Sequence, residues 1–201
     1  MVEEINWRNL NASQLEEEYS PSSVIGGNYL PFIHEYIKRS DDVASSNSII
    51  ECFYGPMQSN SIDLILPENT PKDKPFPLLV FIHGGYWQEL SKKESLFAAK
   101  DILSEGIAFA AVDYTLCPNV TIQAIVDECV MALRYLQSIG SKYNFDPNKI
   151  VLAGSSAGAH LASMCVLEDM KAKDGSSLRI ASTILVSGIY ELEPIIQTSI
   201  N

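Results

Sequence analysis

Positive charge is scarce in this 201-residue chain: Lys and Arg total 14 against 25 Asp and Glu, a formal net charge of −11 at pH 7. Such a surface repels phosphate backbones and anionic lipid, which argues against nucleic acid or a membrane surface as partner. Long apolar runs are missing as well. No stretch reaches the roughly 18 to 20 uninterrupted apolar residues of a membrane helix. The opening Met1-Val2-Glu3-Glu4 lacks the basic and then apolar regions of a signal peptide, so a cytoplasmic protein is expected. Cysteine is sparse: Cys52, Cys117, Cys129 and Cys165 are widely spaced without a CxxC pair, and each lies in or beside an apolar run. Buried reduced thiols are therefore expected rather than disulfides or zinc, and no metal-ligand cluster is visible. The remaining composition, 46% apolar and 19% charged, suits a domain with a sizeable core and excludes disorder or fibre.

The chain changes texture near residue 48. The polar, acidic first part carries short helical patterns at Ala12–Tyr19 and Tyr29–Lys38, separated by Pro21 and Gly26-Gly27, and reads as an N-terminal helical cap over residues 1–48. From Ile49 onward, β-rich runs occupy Ile49–Tyr54, Ser61–Leu66, Leu78–His83, Ala108–Tyr114, Ile150–Gly154 and Ala181–Gly188. The first two suit a hairpin and the others buried strands. Between the later runs the period turns helical. Ile122, Ile125, Val126, Cys129, Val130, Leu133 and Leu136 form a stripe that Gly140 is placed to terminate, and a second helix fits Lys92–Ser104 with Phe97, Ala98 and Ile102 inward. Near-continuous apolar strands alternating with amphipathic helices predict an α/β fold, a mostly parallel sheet with helices on both faces, over residues 49–201.

Two motifs carry chemistry. Strand Ile150-Val151-Leu152-Ala153 runs into Gly154-Ser155-Ser156-Ala157-Gly158, a G-x-S-x-G match in the strand-to-helix setting that motif requires. Small residues at Gly154 and Gly158 permit a sharp turn that lifts Ser156 Oγ above the sheet, where it can serve as nucleophile. A merely tight Gly/Ser turn, or one that holds phosphate, is the bland alternative. The earlier strand Leu78–Ile82 ends in His83-Gly84-Gly85-Tyr86-Trp87, in the place expected for an oxyanion loop. There Gly84 or Gly85, together with the Ala157 amide, would donate N–H groups to a tetrahedral intermediate. The competing reading is a glycine turn followed by two core aromatics.

None of the three histidines reads as the catalytic base. His83 belongs to the glycine loop and is expected to anchor that turn through hydrogen bonds; His160 lies one helical turn past Ser156 and is expected to pack; His34 is expected at the surface. Asp169 and Asp174 fall in an expected polar loop too early for a triad acid, and Asp113 is read as a structural partner of a neighbouring loop.

With these residues placed, the chain resembles the kynurenine formamidase (arylformamidase) branch of the α/β-hydrolases. His83-Gly84-Gly85-Tyr86-Trp87 matches that family's HGGxW element, and Gly154-Ser155-Ser156-Ala157-Gly158-Ala159-His160-Leu161 its elbow. Val112–Pro118 and Leu185–Pro194 resemble its segments after two further strands. Esterases of the hormone-sensitive lipase type carry HGGG, whereas here the third glycine is Tyr86. The resemblance implies hydrolysis of N-formyl-L-kynurenine to formate and L-kynurenine in tryptophan breakdown. Ser156 would attack the formyl carbon, Tyr86 and Trp87 would wall the aryl ring, and no cofactor is needed beyond a small-molecule substrate. A homodimer is the one assembly kept open.

The triad order Ser, then Asp or Glu, then His leaves this sequence short, because His160 is the sole histidine after Ser156. Thr183-Ile184-Leu185-Val186 should also be internal to a sheet that continues. The expectation is a C-terminally truncated hydrolase whose missing part carries the last strands, the acid and the base. A general carboxylesterase of the same fold, and a pseudo-hydrolase that binds without catalysis, are the alternatives.

Overall fold

The computed structural model describes residues 6–68, 74–171 and 177–200. Six strands form one sheet: β1 (Ile49–Phe53), β2 (Ser61–Ile65), β3 (Phe76–Ile82), β4 (Ala108–Val112), β5 (Phe145–Ser155) and β6 (Ile180–Val186). Their spatial order is β1-β2-β4-β3-β5-β6. The expected hairpin is present, with Ile49 opposite Ile65 and Phe53 opposite Ser61. β2 also runs antiparallel to β4, and every other pairing is parallel. The helices are α1 (Ala12–Glu18), α2 (Leu30–Ser46), α3 (Ala99–Ser104), α4 (Ile122–Tyr143) and α5 (Ala157–Lys171), with 3-10 turns at Lys93–Ala98 and Glu193–Gln197 among others.

Apolar side chains fill both faces of this sheet. In β4, Ala108, Ala110 and Val112 join the core shared with Ile125, Leu133 and Leu136 of α4 and Leu161 and Cys165 of α5. The alternate residues Phe109 and Ala111 join a second core with Val43 of α2, Leu96 and Ala99. A strand that alternates between two dry layers has no polar positions, which is why it reads as an unbroken apolar run.

Several elements run longer than the sequence pattern predicts. Helix α2 continues past Lys38 to Ser46: Ser40 and Val43 are buried, and Ser40 Oγ accepts the Phe97 amide at 3.0 Å. Its extension past Lys38 is thus held by tertiary contact rather than by an apolar stripe. Strand β5 begins at Phe145, which is buried and pairs with Phe76, although Pro147 hides that start in the sequence. Lys93–Ala98 is 3-10 rather than α-helical, with Ser95 and Leu96 buried, while Phe97, Ala98 and Ile102 are only half-buried. Asp169 lies inside α5 rather than in a loop, and its carboxylate accepts the Leu178 amide; Asp174 lies outside the described residues. Cys52, Cys129 and Cys165 are buried free thiols as expected, whereas Cys117 is half-buried.

Gly140 does not end α4. It sits inside the helix, which stops at Asn144 in the left-handed region (φ 58°), with the Asn144 amide donating to the Gly140 carbonyl. Asparagine tolerates this conformation better than most residues. A Cβ on Gly140 would lie 2.9 Å from the Phe145 carbonyl oxygen, a backbone atom. Alanine ordinarily gains about 1 kcal/mol over glycine in a helix, but overpacking against backbone costs about 1–3 kcal/mol. Gly140→Ala is therefore expected to lower the urea midpoint, and a raised midpoint would show that Phe145 yields freely.

Candidate active site

The candidate nucleophile stands where β5 turns into α5. Ser156 has φ of +54°, left-handed for a non-glycine residue, and its amide donates to the Val186 carbonyl at 2.8 Å. The turn closes only because its flanks carry no side chains. A Cβ on Gly154 would lie 2.3 Å from the Gly158 carbonyl oxygen, and one on Gly158 would lie 2.1 Å from the Ile82 oxygen and 2.4 Å from the His83 oxygen. The first turn of α5 is therefore pressed onto the end of β3. Ser156 itself is half-exposed, whereas Ala157 and Gly158 are buried.

The same approach brings the two motifs together. A Cβ on Gly84 would lie 2.8 Å from the Ser155 carbonyl oxygen and 3.2 Å from Ser156 Cβ. Gly85, Tyr86 and Trp87 follow with φ of +93°, +49° and +63°, a left-handed turn closed by the Gly85 carbonyl accepting the amides of Gln88 and Glu89, each at 2.9 Å. Among the described residues the amides of Gly84, Gly85 and Ala157 make no hydrogen bond. Unpaired N–H groups beside a hydroxyl are the donor set that an oxyanion requires.

Side chains behind the loop hold its carbonyls. His83 Nδ1 meets the Gly84 carbonyl at 2.9 Å, and the Tyr114 hydroxyl donates to the His83 and Gly84 carbonyls at 3.0 and 3.3 Å. The His83 and Tyr114 rings stack with centroids 4.1 Å apart and planes 7° apart. Asp113 Oδ1 lies 3.3 Å from His83 Nε2, too poorly aligned for a hydrogen bond. Burial, with Cys129 and Asp113 nearby, pushes the Tyr114 phenol well above its ordinary pKa, so it remains a donor at neutral pH. Tyr114 escaped the sequence reading. The available signal was position, since parallel pairing of β3 with β4 sets the residues after Ile82 beside those after Val112.

Trp87 is buried at 3% exposure, edge-on to His160 with centroids 5.3 Å apart. This corrects the expectation that it walls a substrate ring: it is one of the core aromatics that the alternative reading of the loop foresaw. Tyr86 is half-buried, and its hydroxyl donates to the Tyr19 carbonyl. His160 is packed as expected, and burial pushes its imidazole below the ordinary pKa, favouring the neutral form. His34 is exposed on α2. The His160 amide donates to the Ser156 carbonyl at 3.2 Å, but among the described residues no histidine side chain hydrogen-bonds the Ser156 hydroxyl. The loop's far end is fixed by Lys92, buried at 4% exposure, whose ammonium lies 2.7 Å from both Glu51 and Asp63. Sequence spacing gave no hint of that cluster.

A mostly parallel sheet with a left-handed serine on the turn after its fifth strand, facing a glycine loop, defines an α/β-hydrolase. Residues 62–195 match the BD-FAE family. The chain is 32% identical to the kynurenine formamidase of Danio rerio over 202 residues, covering 98% of this chain and 67% of that protein. It is also 32% identical to an isoprenylcysteine alpha-carbonyl methylesterase of Arabidopsis thaliana, over 69% of this chain and 34% of the relative. A solved Silicibacter structure provisionally named a thioesterase superposes with a TM-score of 0.79 at 30% identity, covering 94% of this chain and 68% of its own. The chain belongs to the kynurenine formamidase family of α/β-hydrolases. It spans about two thirds of the length of the fish formamidases it matches. No helix among the described residues is long and apolar enough to cross a membrane.

The strain at Ser156 has a measurable consequence. A left-handed non-glycine residue costs about 1–2 kcal/mol, whereas the added unfolded-state freedom of glycine costs about 0.4–1 kcal/mol. The Ser156→Gly chain is expected to be more stable than Ser156→Ala by about 0.5–1 kcal/mol; equal thermal midpoints would show that the elbow is relaxed.

Proposed function

We propose that this protein is a serine hydrolase that cleaves N-formyl-L-kynurenine to formate and L-kynurenine, with Ser156 as nucleophile. The observation that supports the nucleophile assignment is the close approach of the glycine loop to the elbow, where a Cβ on Gly84 would lie 3.2 Å from Ser156 Cβ; in this reading the Gly84, Gly85 and Ala157 amides serve the serine. The substrate assignment is supported by the formamidase relatives, matched along nearly the whole chain.

In this reading Ser156 Oγ attacks the formyl carbon while its proton passes to a histidine. The carbonyl oxygen becomes an oxyanion held by the Ala157 amide and by Gly84 or Gly85. The C–N bond then breaks, the histidine protonates the departing aryl amine, and water hydrolyses the formyl-serine to formate. Among the described residues none of the three histidine side chains meets the Ser156 hydroxyl: His34 is exposed on α2, His83 is bonded within its own loop and His160 is packed against Trp87. A formyl group needs almost no acyl pocket. Tyr86, half-buried beside Gly85, is the aromatic surface left for the aryl ring once Trp87 is assigned to the core.

Kinetics on the longest natural form of the protein test this reading. kcat/KM for N-formyl-L-kynurenine is expected to exceed that for p-nitrophenyl acetate, and Ser156→Ala is expected to lower it by at least about 10³-fold. Preference for the ester by orders of magnitude would replace formamidase with carboxylesterase; a fully active alanine variant would remove Ser156 from the chemistry.

A further inference from the structure

The oxyanion donors belong to peptides whose other ends are gripped from behind. In a trans peptide the C=O and N–H point in opposite directions. The His83 carbonyl shares a peptide with the Gly84 N–H, and the Gly84 carbonyl shares one with the Gly85 N–H. Both carbonyls accept from one buried hydroxyl, Tyr114 Oη, at 3.0 and 3.3 Å. His83 Nδ1 adds a second bond to the Gly84 carbonyl, at 2.9 Å. Glycine has no intrinsic preference that would fix either plane, so these bonds select the orientation.

We propose that Tyr114 is a positioning residue: its hydroxyl locks the two peptide planes of the glycine loop so that the Gly84 and Gly85 amides point away from it, toward the developing oxyanion at Ser156. The inference rests on the assignment of Ser156 and its amide donors given above. Tyr114 touches no substrate. It is 1% exposed, its ring lies flat on His83, and its hydroxyl accounts for none of the apolar packing that surrounds it. Function and packing are therefore separable within one side chain: removing the oxygen frees the loop carbonyls and leaves the stacked ring in place. Preorganised donors are effective because they need no rearrangement as charge develops, so a loop free to rock loses transition-state binding more than substrate binding.

Tyr114→Phe tests this in the longest natural form of the protein, with rates expressed per site titrated by a fluorophosphonate. The expected result is a fall in kcat of about tenfold with KM within about twofold, and a matching rise in the inhibition constant of a trifluoromethyl ketone, whose serine adduct carries the oxyanion. Replacing Tyr114 by 4-aminophenylalanine, which restores an N–H donor at the same place, is expected to recover at least about a third of the wild-type kcat. A purely structural role would lower the thermal midpoint and the titrated fraction while leaving kcat per titrated site unchanged, and that result overturns the proposal. It is equally overturned if the aminophenylalanine chain is no faster than the phenylalanine chain or, should the latter not fold, remains more than about tenfold below wild type. Ser156→Ala run alongside separates the two ideas. Activity in that variant defeats the nucleophile assignment, whereas an inactive alanine variant beside a wild-type-like Tyr114→Phe defeats only the positioning role.

Discussion

The whole arrangement depends on how closely the first turn of α5 can approach the end of β3. The carbonyl oxygens of Ile82 and His83 lie where a side chain on Gly158 would have to be, and the Gly158 carbonyl in turn occupies the space beside Gly154. Backbone against backbone is the shortest contact two elements can make, and it is available only to glycine. From it follow the left-handed serine, whose conformation the surrounding packing enforces, and the proximity of the glycine loop, since Gly84 is drawn against Ser155 and Ser156 by the same contact. The strain is local, and two dry cores on opposite faces of the sheet hold it in place.

The loop that faces the serine is tied at its start, middle and end. Tyr114 and His83 hold the first carbonyls, the Tyr86 hydroxyl reaches the Tyr19 carbonyl, and Lys92 bridges Glu51 and Asp63 on the β1–β2 hairpin. Besides His83 itself, these ties come from three separate parts of the chain. Desolvating an ammonium and a carboxylate offsets much of their attraction, so the Lys92 cluster contributes more to fixing where the loop leaves than to net stability. Residues before β1 divide their contacts. Helix α1 bonds to the C-terminal turn through Glu16 and Ser199, whereas α2 lies across Lys93–Ala98 on the opposite core.

Periodicity and motif made the scaffold legible because strands buried on both faces and helices with one wet side leave their mark in consecutive residues. All six strands and the long stripe of α4 were readable for that reason, as were the paired glycine motifs. What escaped were features decided by partners distant in sequence. The continuation of α2 past Lys38 is supported by Ser40 meeting Phe97, the start of β5 by Phe145 meeting Phe76, and the interior place of Gly140 by the Phe145 carbonyl. At the site, the elbow at Ser156 and the glycine loop at Gly84 and Gly85 were legible because the roles proposed for them use backbone and a turn. Tyr114 was not, since nothing within Asp113-Tyr114-Thr115 tells which way its hydroxyl points. Trp87, expected with Tyr86 to wall an aryl ring, lies instead in the core, because consecutive left-handed residues turn its ring inward.

Among the described residues strand β6 pairs with β5 alone, and Ile184, Leu185 and Val186 each keep 40% or more of their surface open. A bare apolar margin of this kind is adhesive toward its own likeness. The surplus of acid, a formal net charge of −11, opposes such contact by making copies of the molecule repel one another. That repulsion reaches only about 8 Å at physiological ionic strength. The colloidal behaviour of these 201 residues is thus governed by the salt around them as much as by any bond within them.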